Sequence, residues 1–386
     1  MATIHIDADQ IVKKKRKGRK GHSVDFSALS EIQGLLGNEP RRSDLLIEHL
    51  HKIQDRYHHL SDKHLTALAH EMNLSTAEVF EVASFYHHFD VVKTGEKPPP
   101  PLTVRVCESI SCELAGAKKL LTTLQKTLGD NVRIQPVPCV GRCQEAPVTV
   151  VGQNPIATAT VEKTMAAIDT NQTNAPIANY INREQYEQEG GYQTLQSCLD
   201  GQRDPEHIIT VMENSGLRGL GGAGFPAGKK WRIVKSYRGP RMMAINIDEG
   251  DPGTFKDRHY LEKDPHRFLE GMLIAATIVD CAEIYIYLRD EYAGCRHILT
   301  QEIQNLKNNP PSSSHQLPDI QLRRGAGAYI CGEESAMIES IEGKRGMPRL
   351  RPPYLAEIGL FNRPTLEHNM ETVYWVRDII EKGPEW

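Results

Sequence analysis

Two pairs of cysteines constrain the fold of this chain more than any other feature of its sequence. Cys107 and Cys112 frame CESISC after the apolar run LTVRV, and Cys139 and Cys143 frame CVGRC after the run VRIQPV. Each pair therefore lies where a predicted strand leaves its sheet. If the two strands are neighbours, both turns project from the same end of the sheet and the four thiols converge. The small residues between the paired cysteines suit a close approach to a buried inorganic centre.

The spacing of these cysteines leaves more than one chemistry open. The chain has 386 residues, a net charge of −4 and no secretory signal, and no apolar run in it approaches the length of a membrane span. We therefore expect a cytoplasmic protein with no direct membrane span and no nucleic-acid partner, in which structural disulfides are disfavoured. Zinc and an iron–sulfur centre both accept four thiolates, and the spacing does not separate them. A non-catalytic scaffold that folds around zinc and nucleotide is the alternative from a different functional class.

Composition and periodicity divide the chain into four segments. Residues 1–35 contain the basic run KKKRKGRK and are expected to be a disordered tail. Residues 36–170 combine a helical stretch with alternating strands and helices, which predicts a small α/β sandwich of about the size of thioredoxin. Residues 171–205 are rich in Asn, Gln and Gly and are interpreted as a linker with one short helix. Residues 206–386 alternate again and predict a second α/β domain.

The hydrophobic patterns also predict individual elements. The predicted strands are LTVRV, VRIQPV, PVTVV, AINI, AEIYIYL and DIQLRR. The predicted helices cover residues 116–129, 161–169, 204–214, 265–280, 291–307 and 332–343.

A glycine-rich loop marks the second domain. The stretch GLRGLGGAGFPAGKKW carries Gly219, Gly221, Gly222 and Gly224, which formally match the dinucleotide pattern GxGxxG. That pattern needs a strand before it and a helix opening from it, whereas here the preceding residues are helical and Pro226 follows almost at once. The sequence therefore argues against a Rossmann fold. Glycines at this density still let several backbone N–H groups face one anion, which predicts a site for a phosphate-bearing cofactor.

Charged and aromatic side chains accompany this loop. Lys230 adds positive charge, and Phe225 offers a flat face to an aromatic ring. Asn246, Asp248, Glu249 and Asp251 lie at the C-terminal end of a predicted strand. Gly332, Glu333 and Glu334 lie where a predicted helix begins, with Tyr329 nearby. Carboxylates accept hydrogen bonds from ribose or ribityl hydroxyls. A solvated acidic turn and carboxylates that stabilise a helix dipole are the alternatives.

Five motifs in order resemble the flavin- and NADH-binding subunit of respiratory complex I, a 51 kDa-type flavoprotein with a non-Rossmann α/β fold. They are GLRGLGGAGFPAGKKW, NIDEGDPGTFKDR, GAGAYICGEES, EGKRGMPR and RPTLEHNMET. The cysteine quartet and the helical stretch before it resemble the thioredoxin-like [2Fe–2S] subunit of the same complex. Both modules on one chain are similar to the diaphorase subunits of NAD-dependent formate dehydrogenases and NAD-reducing hydrogenases. Stretches such as RRSDLLIEHLHKIQ and DPHRFLEGMLIAA most resemble the beta subunit of the cytoplasmic molybdenum- or tungsten-dependent formate dehydrogenase.

The resemblance implies FMN, NAD and a [2Fe–2S] centre as cofactors, with hydride passing between nicotinamide and flavin. The implied iron–sulfur ligands are Cys107, Cys112, Cys139 and Cys143. The implied flavin residues are Gly219, Gly221, Gly222, Gly224, Lys230, Asn246, Asp248, Tyr329, Gly332 and Glu333, with Asn369 and Thr372 near the phosphate. The residues implied near the nucleotide are Phe225, Glu249, Asp251 and Glu334, and Tyr354 is a further ring able to stack.

The resemblance also implies partners and further domains. The partner would be a molybdenum- or tungsten-containing formate dehydrogenase alpha subunit or an equivalent redox subunit, and acidic groups near the ribose predict NAD over NADP. In the family, a small SLBB-like domain and a helical [4Fe–4S] domain with a CxxCxxC motif follow. No CxxC occurs in this sequence and the chain stops at EKGPEW, so we expect a C-terminally truncated product.

Four positions depart from the family pattern. Asp251 stands where relatives usually have Glu, Arg351 where Lys is common, and Tyr354 where Phe is common. His368 stands where relatives usually have Asn, which bears on the contacts expected around the flavin phosphate.

Overall fold

The computed structural model of the chain describes residues 24–312 and 317–386 as three packed parts. They are an N-terminal helical segment, a first α/β domain on a mixed four-stranded sheet, and a second α/β domain on a parallel four-stranded sheet. The basic run KKKRKGRK lies outside the described residues, so its disorder stays a prediction. Within the two described ranges, no helix is both long and apolar enough to cross a membrane.

Four helices form the N-terminal segment. They are α1 (Phe26–Leu36), α2 (Leu46–Tyr57), α3 (Asp62–Glu71) and α4 (Thr76–Phe85), with the short parallel strands β1 (Leu60–Ser61) and β2 (Val91–Val92). Helix α1 begins at Asp25, whose carboxylate accepts hydrogen bonds from the first N–H groups of the helix. The predicted disorder up to residue 35 is wrong from Phe26 onward, because Ile32 and Leu36 of α1 are buried in an apolar core.

That apolar core joins the N-terminal helices to the second α/β domain. Leu50 and Ile53 of α2 are fully buried in the same cluster as Tyr285, Tyr287 and Met337, which belong to the second domain. The sequence pattern groups residues 36–170 into one unit. In space, however, the helices up to Phe85 share their core with the second α/β domain.

The first α/β domain carries the four cysteines at one end of its sheet. Its elements are β3 (Leu102–Cys107), α5 (Ile110–Leu114), α6 (Ala117–Thr127), β4 (Val132–Val137), β5 (Thr149–Val151), β6 (Asn154–Ile156) and α7 (Val161–Asp169), and the strand order is β4-β3-β5-β6. Strands β3 and β4 are parallel neighbours, with Cys107 opposite Val137. Because the carboxyl ends of β3 and β4 meet at one edge, both cysteine pairs reach the same end of the sheet, as the sequence predicts.

The segment interpreted as a linker contains two helices that belong to the second domain. Helices α8 (Arg183–Gln188) and α9 (Gln193–Leu199) bury Tyr186, Tyr192 and Leu195 in its core. The buried Glu270 carboxylate accepts hydrogen bonds from the Tyr186 hydroxyl at 2.6 Å and the Tyr192 N–H at 2.9 Å. The linker interpretation is therefore wrong for these residues, since a buried carboxylate and aromatic rings fix them in place.

The second α/β domain has a topological switch point in its parallel sheet. Its strands are β7 (Arg241–Ile247), β8 (Cys281–Leu288), β9 (Asp319–Arg324) and β10 (Thr365–Asn369), in the order β10-β7-β8-β9. Its remaining helices are α10 (Pro205–Asn214), α11 (Ala227–Ser236), α12 (Lys256–Leu261), α13 (Pro265–Val279), α14 (Ala293–Asn308), α15 (Glu334–Ile341), α16 (Met370–Tyr374) and α17 (Val376–Lys382). The chain runs outward from β7 to β9 and then places β10 on the opposite side of β7. Ligands of open α/β sheets bind outside the carboxyl ends of the strands at such a point.

Candidate functional site

The four predicted metal ligands converge between the two α/β domains. Cys107, Cys112 and Cys139 are buried and Cys143 is partly exposed. The Cys139 and Cys143 sulfurs lie 3.3 Å apart, and the N–H of Gly141 donates to the Cys139 sulfur at 3.3 Å. Within residues 24–312 and 317–386, no three or more Cys, His, Asp or Glu side chains are grouped closely enough to hold one metal ion between them. The Cys107 thiol contacts both Cys112 and Cys139, and Cys139 contacts Cys143.

The thiols perturb one another, as ligands of one inorganic centre would. A hydrogen bond between Cys107 and Cys112 raises the pKa of Cys107 and lowers the pKa of Cys112. The neighbouring Cys107 thiol, together with burial, raises the pKa of Cys139. Four crowded thiols of this kind fit a cationic two-iron core, which takes them as thiolates and removes their mutual repulsion.

A cavity of about 560 Å³ opens at the switch point between β7 and β10. Asn246, near the end of β7, and Asn369, at the end of β10, are paired across the two strands. Both line the cavity. The predicted site residues that line the cavity are Gly221, Gly222, Asn246, Asp248, Glu249, Asp251, Tyr329, Gly332, Glu333 and Asn369. The structure thus brings together residues from four separate stretches of the chain.

The glycine loop connects two helices and forms one wall of this cavity. It runs from α10 to α11, so the helix that the sequence predicts before it is confirmed, and the strand that a Rossmann loop needs is replaced by that helix. The N–H groups of Gly221 and Gly222 donate no hydrogen bond to any residue in the described part of the chain. A Cβ on Gly221 would lie 3.1 Å from that of Asn369, so the loop needs glycine to approach β10. Free N–H groups beside a cavity fit an anionic phosphate.

The other predicted site residues are not among those that line the cavity. They are Gly219, Gly224, Phe225, Lys230, Glu334, Tyr354 and Thr372. The Thr372 hydroxyl accepts a hydrogen bond from the Leu220 N–H at 2.9 Å and so fixes the glycine loop. The Lys230 amine donates to the Glu367 carboxylate at 3.0 Å. Phe225 and Tyr354 are exposed.

Lys256 and Asp257 also line the cavity, and neither was selected from the sequence. The Lys256 amine donates to Asp257 at 2.6 Å and to the Asn369 side chain at 3.0 Å. Burial alone would lower the pKa of Lys256, but the Asp257 carboxylate raises it overall. Both residues belong to the motif NIDEGDPGTFKDR. The lysine of that motif could have been selected from the sequence, because an amine is a suitable partner for the phosphate that the glycine loop predicts.

Burial controls the charge of the carboxyls in the cavity. It raises the pKa of Asp248 to about 7, although the Arg289 guanidinium acts in the opposite direction. Burial and the neighbouring Glu249 carboxylate raise the pKa of Asp257 to about 7. A carboxyl that is part neutral near pH 7 can both donate to and accept from a polyol hydroxyl.

His368 faces the interior of the domain. It is buried, and its Nε2 accepts a hydrogen bond from the Trp231 indole N–H at 2.8 Å. Burial and the nearby Lys230 amine hold its pKa well below the ordinary value. His368 therefore packs against Trp231 in the interior and is not among the residues that line the cavity.

The loop between β7 and α12 joins the cavity to the thiols. Its Glu249 lines the cavity and accepts a hydrogen bond from the Tyr292 hydroxyl at 2.8 Å. Its Gly253 donates an N–H to the Cys143 sulfur at 3.1 Å. The buried Arg289 donates to the carbonyl oxygens of Glu249 and of Cys139, the latter at 2.6 Å. The two sites therefore share one set of direct contacts.

Two family models match the chain over these two sites. Residues 32–172 match the thioredoxin-like [2Fe–2S] ferredoxin, and residues 212–378 match the Nuo51 FMN-binding domain. The chain joins a thioredoxin-like [2Fe–2S] domain to a Nuo51 FMN-binding domain. Between zinc and iron–sulfur, which the cysteine spacing left open, the match decides for a [2Fe–2S] centre in the first domain. The cavity with its glycine loop lies in the FMN-binding domain.

Similar proteins align with about half or with nearly all of this chain. One NADH-quinone oxidoreductase subunit of Aquifex aeolicus is 47% identical over 208 residues, which are 52% of this chain and 48% of that protein. The alpha subunit of the NAD-reducing hydrogenase HoxS of Cupriavidus necator is 32% identical over 90% of this chain and 64% of its own length. A crystal structure of an H2-reduced NAD+-reducing [NiFe]-hydrogenase superposes with a TM-score of 0.76 at 28% identity, over 90% of this chain and 63% of that one. The chain thus spans 48% to 64% of the length of these relatives.

Proposed function

We propose that this chain is the NAD-reacting electron-transfer module of a larger oxidoreductase. It binds FMN at the switch point, brings NAD to the flavin for hydride exchange, and holds a [2Fe–2S] centre that exchanges single electrons. FMN, when bound, supplies the conversion between a two-electron hydride and single electrons. The observation that carries the proposal is the loop between β7 and α12, which lines the FMN cavity and also donates the Gly253 N–H to Cys143.

The residues of the cavity divide the task of binding. The free N–H groups of Gly221 and Gly222, with the Lys256 amine, would hold the FMN phosphate. The Asp248 carboxyl would hydrogen-bond hydroxyls of the flavin side chain. Phe225, which is 40% exposed beside the loop, offers a face to a nucleotide ring. The acidic groups around the opening disfavour a 2′-phosphate, so NAD is proposed over NADP.

The complex that this module serves is proposed from the sequence motifs. RRSDLLIEHLHKIQ, FDVVK and DPHRFLEGMLIAA support the beta subunit of a cytoplasmic NAD-dependent formate dehydrogenase, with a molybdenum or tungsten alpha subunit as its partner. The NAD-reducing hydrogenase is the second candidate, because similarity to the HoxS alpha subunit extends over 90% of this chain.

The visible spectrum of the purified chain tests the proposed module. We expect flavin and iron–sulfur absorption, two irons and two sulfides per chain, and bleaching of the flavin band when NADH is added without oxygen. A colourless protein that holds zinc in the cysteine site would contradict the proposal and support the non-catalytic scaffold.

Purification from native cells identifies the partner. A tagged chain should be recovered with a molybdenum- or tungsten-containing subunit, and the complex should reduce NAD with formate. Recovery with a nickel–iron subunit and reduction of NAD with hydrogen would reject the formate dehydrogenase in favour of the second candidate.

A further inference from the structure

The loop that carries Cys139 and Cys143 is held by the FMN-binding domain as well as by its own. Arg289 of that domain donates to the Cys139 carbonyl oxygen at 2.6 Å, and Gly253 donates to the Cys143 sulfur at 3.1 Å. Arg258 of α12 donates its Nε–H to the Gly141 carbonyl oxygen at 3.0 Å. Three donors from one domain thus reach the cluster-binding loop of the other.

Arg258 brings a positive charge to this loop in a buried place. Its side chain is only 3% exposed, and its Nη2 has no hydrogen-bond partner in the part of the chain that the structure describes. The N–H of Gly141, the residue whose carbonyl it binds, in turn donates to the Cys139 sulfur. A guanidinium so near a cluster ligand changes the electrostatic potential at the cluster, because burial leaves little water to screen it.

Glu262 supplies the opposing negative charge. Its carboxylate lies 2.6 Å from Nη1 of Arg258 and 2.9 Å from Nη2 of Arg142, a residue of the cysteine loop itself. Arg142 and Arg258, from the two domains, thus share one carboxylate. Substitution of Arg258 or of Glu262 therefore changes the charge beside the same loop with opposite sign.

We propose that the FMN-binding domain sets the reduction potential of the [2Fe–2S] centre through Arg258 and Arg289, with Glu262 as the counterweight. Reduction adds one negative charge to a centre that four thiolates already make negative. Nearby positive charge and N–H donors to the sulfurs stabilise the reduced form and raise the potential, whereas a nearby carboxylate lowers it. The inference rests on the [2Fe–2S] centre of the proposed function and is independent of its redox partner.

The test is a redox titration of the cofactor-loaded full chain, followed by the EPR signal of the reduced [2Fe–2S] centre. Arg258→Gln should lower the midpoint potential by about 59 mV, which corresponds to a tenfold change in the ratio of reduced to oxidised centre. Glu262→Gln should raise the midpoint potential by a similar amount. Arg258→Lys keeps the positive charge, so it should shift the potential less than Arg258→Gln does. Arg323→Gln is the control, because Arg323 is equally buried but pairs with Asp44 at a distant interface.

The opposite signs separate electrostatics from loosened packing. A shift in the same direction in Arg258→Gln and Glu262→Gln, or no shift in either, would overturn the proposal. If Arg258→Gln loses the cluster, Glu262→Gln decides alone: a rise supports the proposal, and no change or a fall rejects it. Loss of the cluster in both Glu262→Gln and Arg258→Lys would show that Arg258 and Glu262 only hold the cysteine loop in place, and it would also overturn the proposal. Absence of a [2Fe–2S] signal in the unchanged chain would contradict the proposed function instead.

Discussion

Lys256 shows how a single side chain gains its role from position. Among the described residues it supplies the amine that lines the proposed FMN cavity, where Asp257 and Asn369 hold it beside the glycine loop. The sequence favoured Lys230 for the same charge, and that amine is paired with Glu367. Which lysine reaches a cavity depends on the direction of its helix, and local sequence does not give that direction.

Substitution of Lys256 tests its proposed contact with the phosphate. A hydrogen bond between charged groups contributes about 1.5–3 kcal/mol, so Lys256→Gln should weaken FMN binding roughly 10- to 150-fold. Quenching of flavin fluorescence during titration of the flavin-free chain measures the dissociation constant. Lys229→Gln, at an exposed position next to Lys230, is the matched control. Equal affinity of the Lys256 variant and the control would exclude the phosphate contact.

Asp248 gives the flavin-free protein a pH-dependent stability. Burial raises its pKa from 3.8 to about 7. A raised carboxyl pKa means that its contribution to stability is fully present below about pH 4 and is lost as the pH rises through 7. Asp248→Asn cannot ionise, so it should gain ~1–3 kcal/mol of unfolding free energy relative to the unchanged chain between pH 4 and pH 8. Urea unfolding at the two pH values measures this.

The control for that experiment is Asp280→Asn, because the Asp280 side chain is 87% exposed. It should show the same difference from the unchanged chain at both pH values. A pH-independent effect of Asp248→Asn would show that the Asp248 carboxyl is ionised throughout in the folded state.

At the scale of elements, alternation and apolar runs predicted β3, β4, β7, β8 and β9 and most of the long helices. Strand β10 was missed because its central residues are polar. Glu367 and His368 are nevertheless buried, since Lys230 donates to one and Trp231 to the other. These polar residues can be buried because α11, which is distant in sequence, supplies their hydrogen-bond partners. The local sequence around β10 does not show those partners. The turn after β7 was the part of the candidate site that the sequence predicted best, because Asn246, Asp248, Glu249 and Asp251 all line the cavity. Of the glycines in the loop, only Gly221 and Gly222 do.

The N-terminal helices are predicted to stabilise the FMN-binding domain. Leu50 of α2 is fully buried in the core that these helices share with that domain. Leu50→Ala should therefore lower the free energy of unfolding by about 2–5 kcal/mol, and the loss should appear in the release of FMN as well as in helix content. Phe80→Ala, at a position 37% exposed on α4, should have a small effect. If Leu50→Ala releases FMN at the same denaturant concentration as the unchanged chain, the N-terminal helices and the FMN-binding domain unfold independently.

At the scale of the whole molecule, the contact between the domains is the feature that places the two cofactor sites together. Gly141 of the cysteine loop packs against Tyr292, whose hydroxyl also binds Glu249 of the FMN cavity. The sequence showed the two sites as separate motifs about a hundred residues apart. It could not show that they touch, because the pairing of Arg258 and Arg289 with the cysteine loop depends on how two folded surfaces meet.

Gly141 should tolerate no side chain. It has a φ of +70°, and an added Cβ would lie 2.2 Å from the Tyr292 hydroxyl oxygen. Gly141→Ala is expected to cost about 1–3 kcal/mol of stability and to reduce the iron content, because the loop must move away from the other domain. Gly129→Ala, where nothing lies within 4 Å, is the control. Full iron content and unchanged unfolding in Gly141→Ala would contradict the close contact between the domains.

The most direct test of the central claim is the visible spectrum of the purified, cofactor-loaded chain before and after addition of NADH without oxygen. We predict flavin absorption on top of an iron–sulfur spectrum, and loss of the flavin band once NADH is added. A chain that contains FMN but keeps its flavin band unchanged with excess NADH would contradict the account.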